Sequence, residues 1–301
     1  MSRPPAHLIL ANALARTALR IPILERMLLA GTRQPTLRRH LRLGAIAHGF
    51  ARVLQRHELR IAELDGYRLY VNVGEPLGVE PYFFKEPGTV WLTRSLLRRG
   101  DVCVDVGANA GTYTFLCASA VGPTGKVFAF EPNPTFAGML RRSRDLNAFG
   151  NIVEVEQRAM SSSTEDRQRF FLSTNPMNTG TSSLSTDALF LSEENTIAID
   201  TISFDAFAEA RKLEHFRFVK IDVERAEDKV IAGASSTLRS LRIDYIILEM
   251  LAGGAAQDLP LRAGYRCFLI VHDERRLIPL ADVPINHFGD YLFVSPAMPV
   301  P

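Results

Sequence analysis

Cysteine is scarce in this sequence, and no long apolar run occurs. The three cysteines, Cys103, Cys117 and Cys267, are far apart and lie within apolar segments. Their odd number and the lack of metal-ligand spacing argue against a disulfide framework, so we expect buried free thiols and no metal. A membrane-spanning helix needs about 20 consecutive apolar residues, and a signal peptide needs a basic start, an apolar core and a small-residue cleavage site. The sequence shows neither pattern, and we expect a cytoplasmic protein.

Acidic residues are almost missing from the first 60 positions, where eleven arginines stand against Glu25 and Glu58. Segment 8–29 carries leucine and isoleucine at three- and four-residue spacing, which predicts an amphipathic helix interrupted near Pro22. One interpretation is a helical cap whose arginines face water. The other is peripheral contact of residues 1–60 with the inner face of an anionic membrane, because basic amphipathic helices favour anionic interfaces. The whole chain has a net charge of +2, so nucleic acid is not an expected partner.

From residue 58 onwards, the pattern predicts a hairpin followed by alternating strands and helices. Alternating apolar residues flank Asp65-Gly66 in segment 58–74, which is a hairpin signal. A short helix closed by Gly100 follows. Further strands are predicted at 102–106, 127–131, 152–156, near 168–173, near 197–200, and at 217–222, 243–249, 265–271, 276–280 and 291–294. Helices are predicted at 111–121, 134–147, 203–211, 226–240 and 255–263.

This alternation predicts the fold class. Continuously apolar strands that alternate with helices indicate a doubly wound, mostly parallel α/β sheet, here of seven strands. The last strands lack an intervening helix, which predicts an antiparallel end. We divide the chain into a basic helical extension (1–57), a hairpin with a connecting segment (58–87) and a cofactor-binding domain (88–301).

A glycine-containing loop follows the strand at 102–106. Two glycines, Gly107 and Gly111, indicate a backbone that approaches something closely. The spacing departs from the dinucleotide fingerprint, because Asn109 stands where a glycine is expected. Glu131 ends the next strand, about 24 residues beyond Gly107, where a carboxylate accepts ribose hydroxyls in both NAD and S-adenosylmethionine sites. Asp105 could orient a cofactor ammonium group or cap the turn.

Acidic residues cluster after the strand at 217–222. Negative charge at a helix N-terminus is favourable in itself, and this explains Glu227 and Asp228. Asp222 lies at the strand end, facing the cleft of such a sheet. A carboxylate there could orient a substrate hydroxyl or accept its proton.

Five motifs in order carry a family resemblance: DVGANAGTYTFL, FAFEPNP, NTGTSSL, VKIDVERAE and IILEM. Over roughly residues 78–295, the chain resembles the FkbM-type methyltransferases, which are Rossmann-like, class I, S-adenosylmethionine-dependent O-methyltransferases of glycans, lipids and polyketide products. The resemblance implies a functional role for Asp222 and Glu224. The predicted cofactor contacts are Asp105, Gly107, Ala108, Asn109, Gly111, Glu131, Pro132, Ala159 and Asp222. The family usually has glycine where this chain has Arg225, and we expect a changed acceptor pocket.

Methyl transfer to a hydroxyl requires a base, and four residues are candidates. The predicted catalytic residues are Asp222, Glu224, His272 and His287. The predicted acceptor-binding residues are Glu80, Tyr82, Asn178, Thr179, Ser182, Arg225, Glu227 and Glu249, with Asn175 and Ser183 in the same polar loop. The expected acceptor is a hydroxyl of a glycan, glycolipid or other secondary metabolite.

Two other functions compete with this interpretation. An NAD(P)-linked oxidoreductase would use Glu131 in the same way, but this chain lacks the central glycine of the dinucleotide loop and a Tyr-x-x-x-Lys pair. A non-catalytic module with the same fold, binding a membrane or a partner through its basic N-terminus, is the third possibility.

Overall fold

The structure is a computed structural model that describes residues 58–84, 90–175, 179–185 and 194–301, with residues 23, 26, 29, 30, 32, 33 and 192. The described residues form two compact units. One unit contains those of segments 1–87 and 175–179, and the other contains those of 88–174 and 180–301. Most of the predicted amphipathic helix at 8–29 and most of the extension 1–57 lie outside the described residues, although Ile23, Arg26 and Leu29 are described as helical. Among the described residues, no helix has the length and apolarity needed to cross a membrane.

The smaller unit contains the predicted hairpin. Strand β1 (Leu59–Glu63) pairs antiparallel with β2 (Arg68–Asn72), and Gly66 in the turn has a φ of 86°. Helix α1 (Pro76–Val79) and one turn of π-helix (Glu80–Phe84) follow. Their core includes Leu69 and Phe83, which are fully buried.

The larger unit is built on an eight-stranded sheet with two small accessory sheets. Its strands, in chain order, are β3 (Val102–Val106), β4 (Lys126–Phe130), β5 (Val153–Glu156), β6 (Ala159–Met160), β7 (Gln168–Phe171), β8 (Thr196–Ile199), β9 (Thr201–Ile202), β10 (Phe216–Ile221), β11 (Ile243–Leu251), β12 (Arg266–Val271), β13 (Arg276–Pro279) and β14 (Phe288–Val294). The order in the main sheet is β13-β12-β14-β11-β10-β3-β4-β5. Strand β6 pairs with β9, and β7 pairs with β8.

The doubly wound fold class is confirmed, but the sheet has eight strands instead of seven. Six strands run in one direction, and β13 and β14 run against them. The reversed strand β14 lies between β11 and β12 instead of closing the sheet. Its residues Tyr291–Val294 are all buried, and such a strand needs neighbours on both sides. The half-exposed β13 occupies the edge, where its two end residues, Arg276 and Pro279, are exposed.

Seven helices are described in the larger unit. They are α2 (Val90–Leu96), α3 (Thr112–Val121), α4 (Pro134–Leu146), α5 (Phe204–Ala210), α6 (Glu227–Gly233), α7 (Ser235–Arg239) and α8 (Asp258–Arg262). The single helix predicted at 226–240 is therefore two helices, because Ala234 leaves the helical conformation with φ −103° and ψ 15°. The helix predicted at 255–263 begins as a 3₁₀ turn (Ala255–Gln257).

Side-chain alternation separates the two faces of the main sheet. Val104, Val219, Leu248 and Tyr291 belong to one large apolar cluster on one face. Successive side chains of a strand point to opposite faces. The intervening residues therefore lie on the other face, and at the carboxyl edge these are ionisable.

Candidate active site

Charged side chains line the carboxyl edge of the main sheet. From β4 across to β12, the strand ends carry Glu131, Asp105, Lys220 with Asp222, Glu249, Asp290 and His272. The strand register places Lys220 opposite Asp105 and Glu249 opposite Asp290. Ligands of doubly wound sheets bind beyond the carboxyl ends of the strands. The fold thus brings most of the predicted site residues to one edge.

The glycine at position 107 is required by the packing of two strand ends. Gly107 has a φ of 81°, and a Cβ there would lie 1.8 Å from the carbonyl oxygen of Asp222. The N–H groups of Gly107 and Ala108 both donate to the carbonyl of Phe130, each at 3.0 Å. The close approach that the sequence indicates is therefore made to the protein's own strand β10.

Gly111 has a comparable reason. Its φ is 97°, and an added Cβ would meet the side chains of Phe115 and Leu140 at 2.6–2.7 Å. The end of the loop is thus packed tightly against helices α3 and α4. Together, the two glycines fix the loop that Asn109, with a φ of 49°, spans between them.

Glu131 is a buried carboxylate at the tip of β4, and 5% of its surface is exposed. Its Oε2 accepts the N–H of Asn109 and its Oε1 accepts the N–H of Asn133, each at 2.8 Å. Burial raises the pKa of Glu131 to about 7, although these two hydrogen bonds act in the opposite direction. A carboxylate oxygen accepts more than one hydrogen bond. Glu131 can therefore still accept hydroxyl groups of a ligand.

Asp105 joins strand β3 to helix α3. The hydroxyl of Thr114 donates to Asp105 Oδ2 at 2.6 Å. Burial raises the pKa of Asp105 to about 6, and the Thr114 hydrogen bond and the Lys220 ammonium reduce that rise. Its predicted contact with a cofactor ammonium stays a prediction.

Lys220 places a buried cation beneath the site, with 2% of its surface exposed. Its Nζ lies 3.0 Å from Asp290 Oδ1 and 3.6 Å from Asp222 Oδ2. The centroid of the Tyr113 ring is 5.3 Å from Nζ. Burial alone would lower the pKa of Lys220, but Asp290 and Asp222 outweigh it and hold the pKa well above its ordinary value. Sequence analysis missed Lys220, although a lysine inside the apolar strand FRFVKI is a detectable signal.

The two candidate histidines have different surroundings. His272 Nε2 lies 3.1 Å from Asp290 Oδ2, and its Nδ1 is buried with no hydrogen-bond partner among the described residues. His287 is exposed, and its Nδ1 lies 3.4 Å from the hydroxyl oxygen of Tyr291. Nε2 of His272 is engaged by Asp290 and Nδ1 is buried, so neither ring nitrogen is accessible to a substrate hydroxyl. This favours a role for His272 in holding Asp290 over a role as the base. Sequence analysis also missed Asp290, which connects His272 to Lys220.

The loop after β10 is strained and tied in place. Glu224 and Arg225 have φ values of 53° and 70°, in the left-handed region that L-residues rarely adopt. Glu227 Oε1 accepts the N–H groups of Val223 (3.2 Å) and Arg225 (3.1 Å). The Ser183 hydroxyl donates to the carbonyl of Glu224 at 2.7 Å. Glu227 therefore braces this loop.

Two further carboxyl groups have pKa values near neutrality. Burial, reinforced by the charge of Asp222, raises the pKa of Glu224 to about 7 and that of Glu249 to about 8. Near neutral pH such carboxyl groups both donate and accept hydrogen bonds. This property suits the recognition of hydroxyl groups.

The remaining predicted residues are distributed over both units. In the larger unit, Pro132 and Ala159 are buried, and Ser182 Oγ accepts the N–H of Ser173 at 3.0 Å. Glu80, Tyr82, Asn175 and Thr179 belong to the smaller unit, where the backbone N–H and the hydroxyl of Thr179 donate to Glu75 at 3.0 and 2.8 Å. Asn178 lies outside the described residues. Within the described part of the chain, no group of three or more His, Cys, Asp or Glu side chains could hold a metal ion.

Residues 105–266, more than half of the chain, match the family model described as the methyltransferase FkbM domain. The chain belongs to the FkbM methyltransferase family. This membership confirms the predicted methyltransferase and removes the support for the oxidoreductase and the non-catalytic module.

This FkbM methyltransferase is similar to one named relative and to several solved structures. The hexuronic acid methyltransferase AglP of Haloferax volcanii is 31% identical over 201 residues, which are 66% of this chain and 77% of that protein. The solved structure of methyltransferase FkbM from Methylobacillus flagellatus KT has 14% identity and a TM-score of 0.40, over 71% of this chain. The match spans 52% of that structure's chain, about half of its length. An S-adenosylmethionine-dependent O-methyltransferase from Thermotoga maritima has 15% identity and a TM-score of 0.35, over 71% of this chain and 66% of that one.

Proposed function

We propose that this FkbM methyltransferase transfers the methyl group of S-adenosylmethionine to a hydroxyl oxygen of a sugar, in a glycan or glycolipid. The main support is the buried Glu131 carboxylate at the tip of β4. The carboxylate of Asp222, which we assign to the acceptor, follows β10, two strands away in the sheet. The name of the relative AglP, a hexuronic acid methyltransferase, supports a sugar acceptor. A polyketide or other secondary-metabolite hydroxyl is the alternative acceptor.

The residues at the tips of β3 and β4 fit the proposed cofactor. A buried carboxylate with a raised pKa is stabilised in its charged form by additional hydrogen-bond donors, and the two ribose hydroxyls would supply them to Glu131. Asp105 is the anionic group available for the ammonium of the methionine part. When bound, S-adenosylmethionine supplies a methyl group activated by its positively charged sulfur.

Asp222 is the residue that we assign to the acceptor hydroxyl. Its side chain is 37% exposed, and its Oδ2 lies 3.6 Å from Lys220 Nζ. Asp222 orients the hydroxyl and takes its proton as the new oxygen–carbon bond forms and the carbon–sulfur bond breaks, which leaves a neutral thioether. Glu224 and Glu249 bind neighbouring hydroxyls, and the exposed Arg225 is the residue that we assign to the rim of the acceptor pocket.

Calorimetry and methyl-transfer assays test this function. We expect S-adenosylhomocysteine to bind, NADH not to bind, and labelled methyl groups to appear on oxygen in sugar acceptors that include hexuronic acids. Replacing Asp222 by Asn should lower kcat by about 10²-fold or more, while Asp228→Asn, on the exposed first turn of α6, should leave it unchanged. Binding of NADH without S-adenosylhomocysteine would refute the cofactor, and methylation of nitrogen or carbon would refute the acceptor type.

We also propose that residues 1–60 contact anionic membranes, a proposal that rests on the sequence. Flotation of the full chain with vesicles of phosphatidylcholine, with and without phosphatidylglycerol, measures this. Binding should need the anionic lipid and should weaken when Arg16, Arg20 and Arg26 are replaced by Gln. Equal flotation in both vesicle types, or none, would contradict the proposal.

A further inference from the structure

Lys220 is a buried cation that the proposed reaction does not use. A buried charge is unfavourable unless it is paired and hydrogen-bonded. Asp290 accepts from Nζ at 3.0 Å, and Tyr113 covers the ammonium with its ring face. These two contacts already satisfy much of the cation, yet the Oδ2 of Asp222, whose side chain is 37% exposed, also lies 3.6 Å from Nζ.

Asp290 is itself held from the opposite side. Its Oδ1 accepts from Lys220 and its Oδ2 lies 3.1 Å from His272 Nε2. The carboxylate thus bridges two neighbours and cannot rotate without breaking one of them. The chain of contacts runs from His272, directly after β12, through Asp290 on β14, to Lys220 on β10, and ends at Asp222.

This edge of the sheet otherwise carries mostly negative charge. The ionisable groups around Lys220 and Asp222 are Tyr113 on α3, Asp105 on β3, Glu224 and Glu227 after β10, Glu249 on β11, Asp290 on β14 and His272 after β12. Crowded carboxylates in a partly dry site favour their neutral forms. A fixed ammonium next to one of them selects which carboxylate keeps its charge.

We propose that Lys220 is a positioning residue that keeps Asp222 ionised and directed towards the acceptor hydroxyl, with Asp290 and His272 holding its ammonium. The proposal rests on the proposed function for its catalytic consequence. The ionisation state of the Asp222 carboxyl group can be measured without turnover, so it tests the role of Lys220 separately.

Carboxylate ¹³C NMR measures this state directly, with the Asp222 signal assigned through Asp222→Asn. In Lys220→Met, which keeps the length of the side chain and removes the charge, we expect the titration midpoint of Asp222 to rise by at least about one pH unit. In Lys220→Arg it should stay near the wild-type value. In Asp290→Asn the titration midpoint of Asp222 should fall, because Asp222 is then, among the described residues, the one carboxylate that remains paired with the Lys220 ammonium. An unchanged midpoint in Lys220→Met, or in Asp290→Asn if Lys220→Met does not fold, overturns the proposal.

The pH profile of kcat/KM gives the catalytic readout. The acidic limb should move to higher pH in Lys220→Met and return in Lys220→Arg, with S-adenosylhomocysteine affinity at pH 8 within about threefold of wild type. A uniform loss of rate at all pH values would indicate a merely structural lysine and overturn the proposal. If the wild type methylates no hydroxyl, the proposed function fails, while the NMR midpoints still decide the role of Lys220.

Discussion

Lowering the pH from 8 to 6 should weaken the binding of S-adenosylhomocysteine about tenfold, through the protonation of Glu131. The pKa of this buried carboxyl group is about 7 in the ligand-free protein. It is therefore ionised in about nine molecules of ten at pH 8 and in about one of ten at pH 6. If ribose hydroxyls donate to the charged form, affinity follows that fraction, and the tenfold change corresponds to about 1.4 kcal/mol.

The sign of the proton exchange is fixed by the same reasoning. Donors that bind the carboxylate favour its charged form, so the pKa of Glu131 falls in the complex. Binding at pH 7 should then release about half a proton per ligand. Calorimetry in phosphate and in Tris, which differ in ionisation enthalpy, measures this number.

Two variants distinguish the protonation of Glu131 from that of neighbouring carboxyl groups. Glu131→Gln should bind about 10- to 100-fold more weakly at pH 8, because hydrogen bonds to a charged group are worth about 1.5–3 kcal/mol, and its affinity should hardly change with pH. The control Glu156→Gln changes a carboxylate at the tip of the adjacent strand β5 and should keep the wild-type pH dependence. Asp105, with a pKa of about 6, adds at most a factor of about two at pH 6. Equal wild-type affinity at pH 6 and pH 8, or a Glu131→Gln variant that keeps the dependence, would refute the reasoning.

Three further predictions concern the packing and charge of the site. Gly107→Ala should abolish folding or activity, since its Cβ would lie 1.8 Å from the facing carbonyl oxygen. The control Gly138→Ala in α4, where open space surrounds the glycine, should be neutral or stabilising by up to about 1 kcal/mol in urea unfolding. A Gly107→Ala variant that folds and keeps its activity would contradict the packing described for Gly107. Arg225→Gly should raise the free energy of unfolding by about 1 kcal/mol by relieving a left-handed backbone, as should the control Lys212→Gly (φ 54°), and a loss of acceptor affinity in the Arg225 variant alone would place that side chain in the pocket. Glu249 has a pKa of about 8, above its ordinary value, so the folded protein binds more protons than the unfolded chain between about pH 4.5 and 8. The free energy of unfolding should therefore fall as pH rises through that window. Glu249→Gln should reduce this fall by about 1 kcal/mol, and an unaltered dependence of the unfolding free energy on pH between 5.5 and 8 would argue against this role of Glu249.

The strand–helix alternation was predictable because each buried strand is a separate apolar run between turn formers. The place of β14 was not, since sequence order does not state which strands become neighbours. The break at Ala234 was also hidden, because no glycine or proline marks it. Tertiary packing of α6 and α7 decides it instead.

The placement of the candidate residues was predictable where a strand-end rule applies, as for Glu131 and Asp222. It was not predictable where ion pairs join distant segments: Lys220 and Asp290 are 70 residues apart in sequence. The loop glycines were recognised correctly as points of close approach. What approaches Gly107 is a backbone carbonyl, which residue type alone does not reveal.

The insertion of β14 between β11 and β12 has a consequence for biosynthesis. Residues 288–294 emerge from the ribosome after both β11 and β12, and until they arrive β11 and β12 have no common neighbour. The same segment delivers Asp290, so an incomplete chain would hold Lys220 without its main counter-ion. Completion of the core and neutralisation of the buried cation are therefore one event, and a chain truncated before residue 288 should be recovered as an insoluble product or degraded.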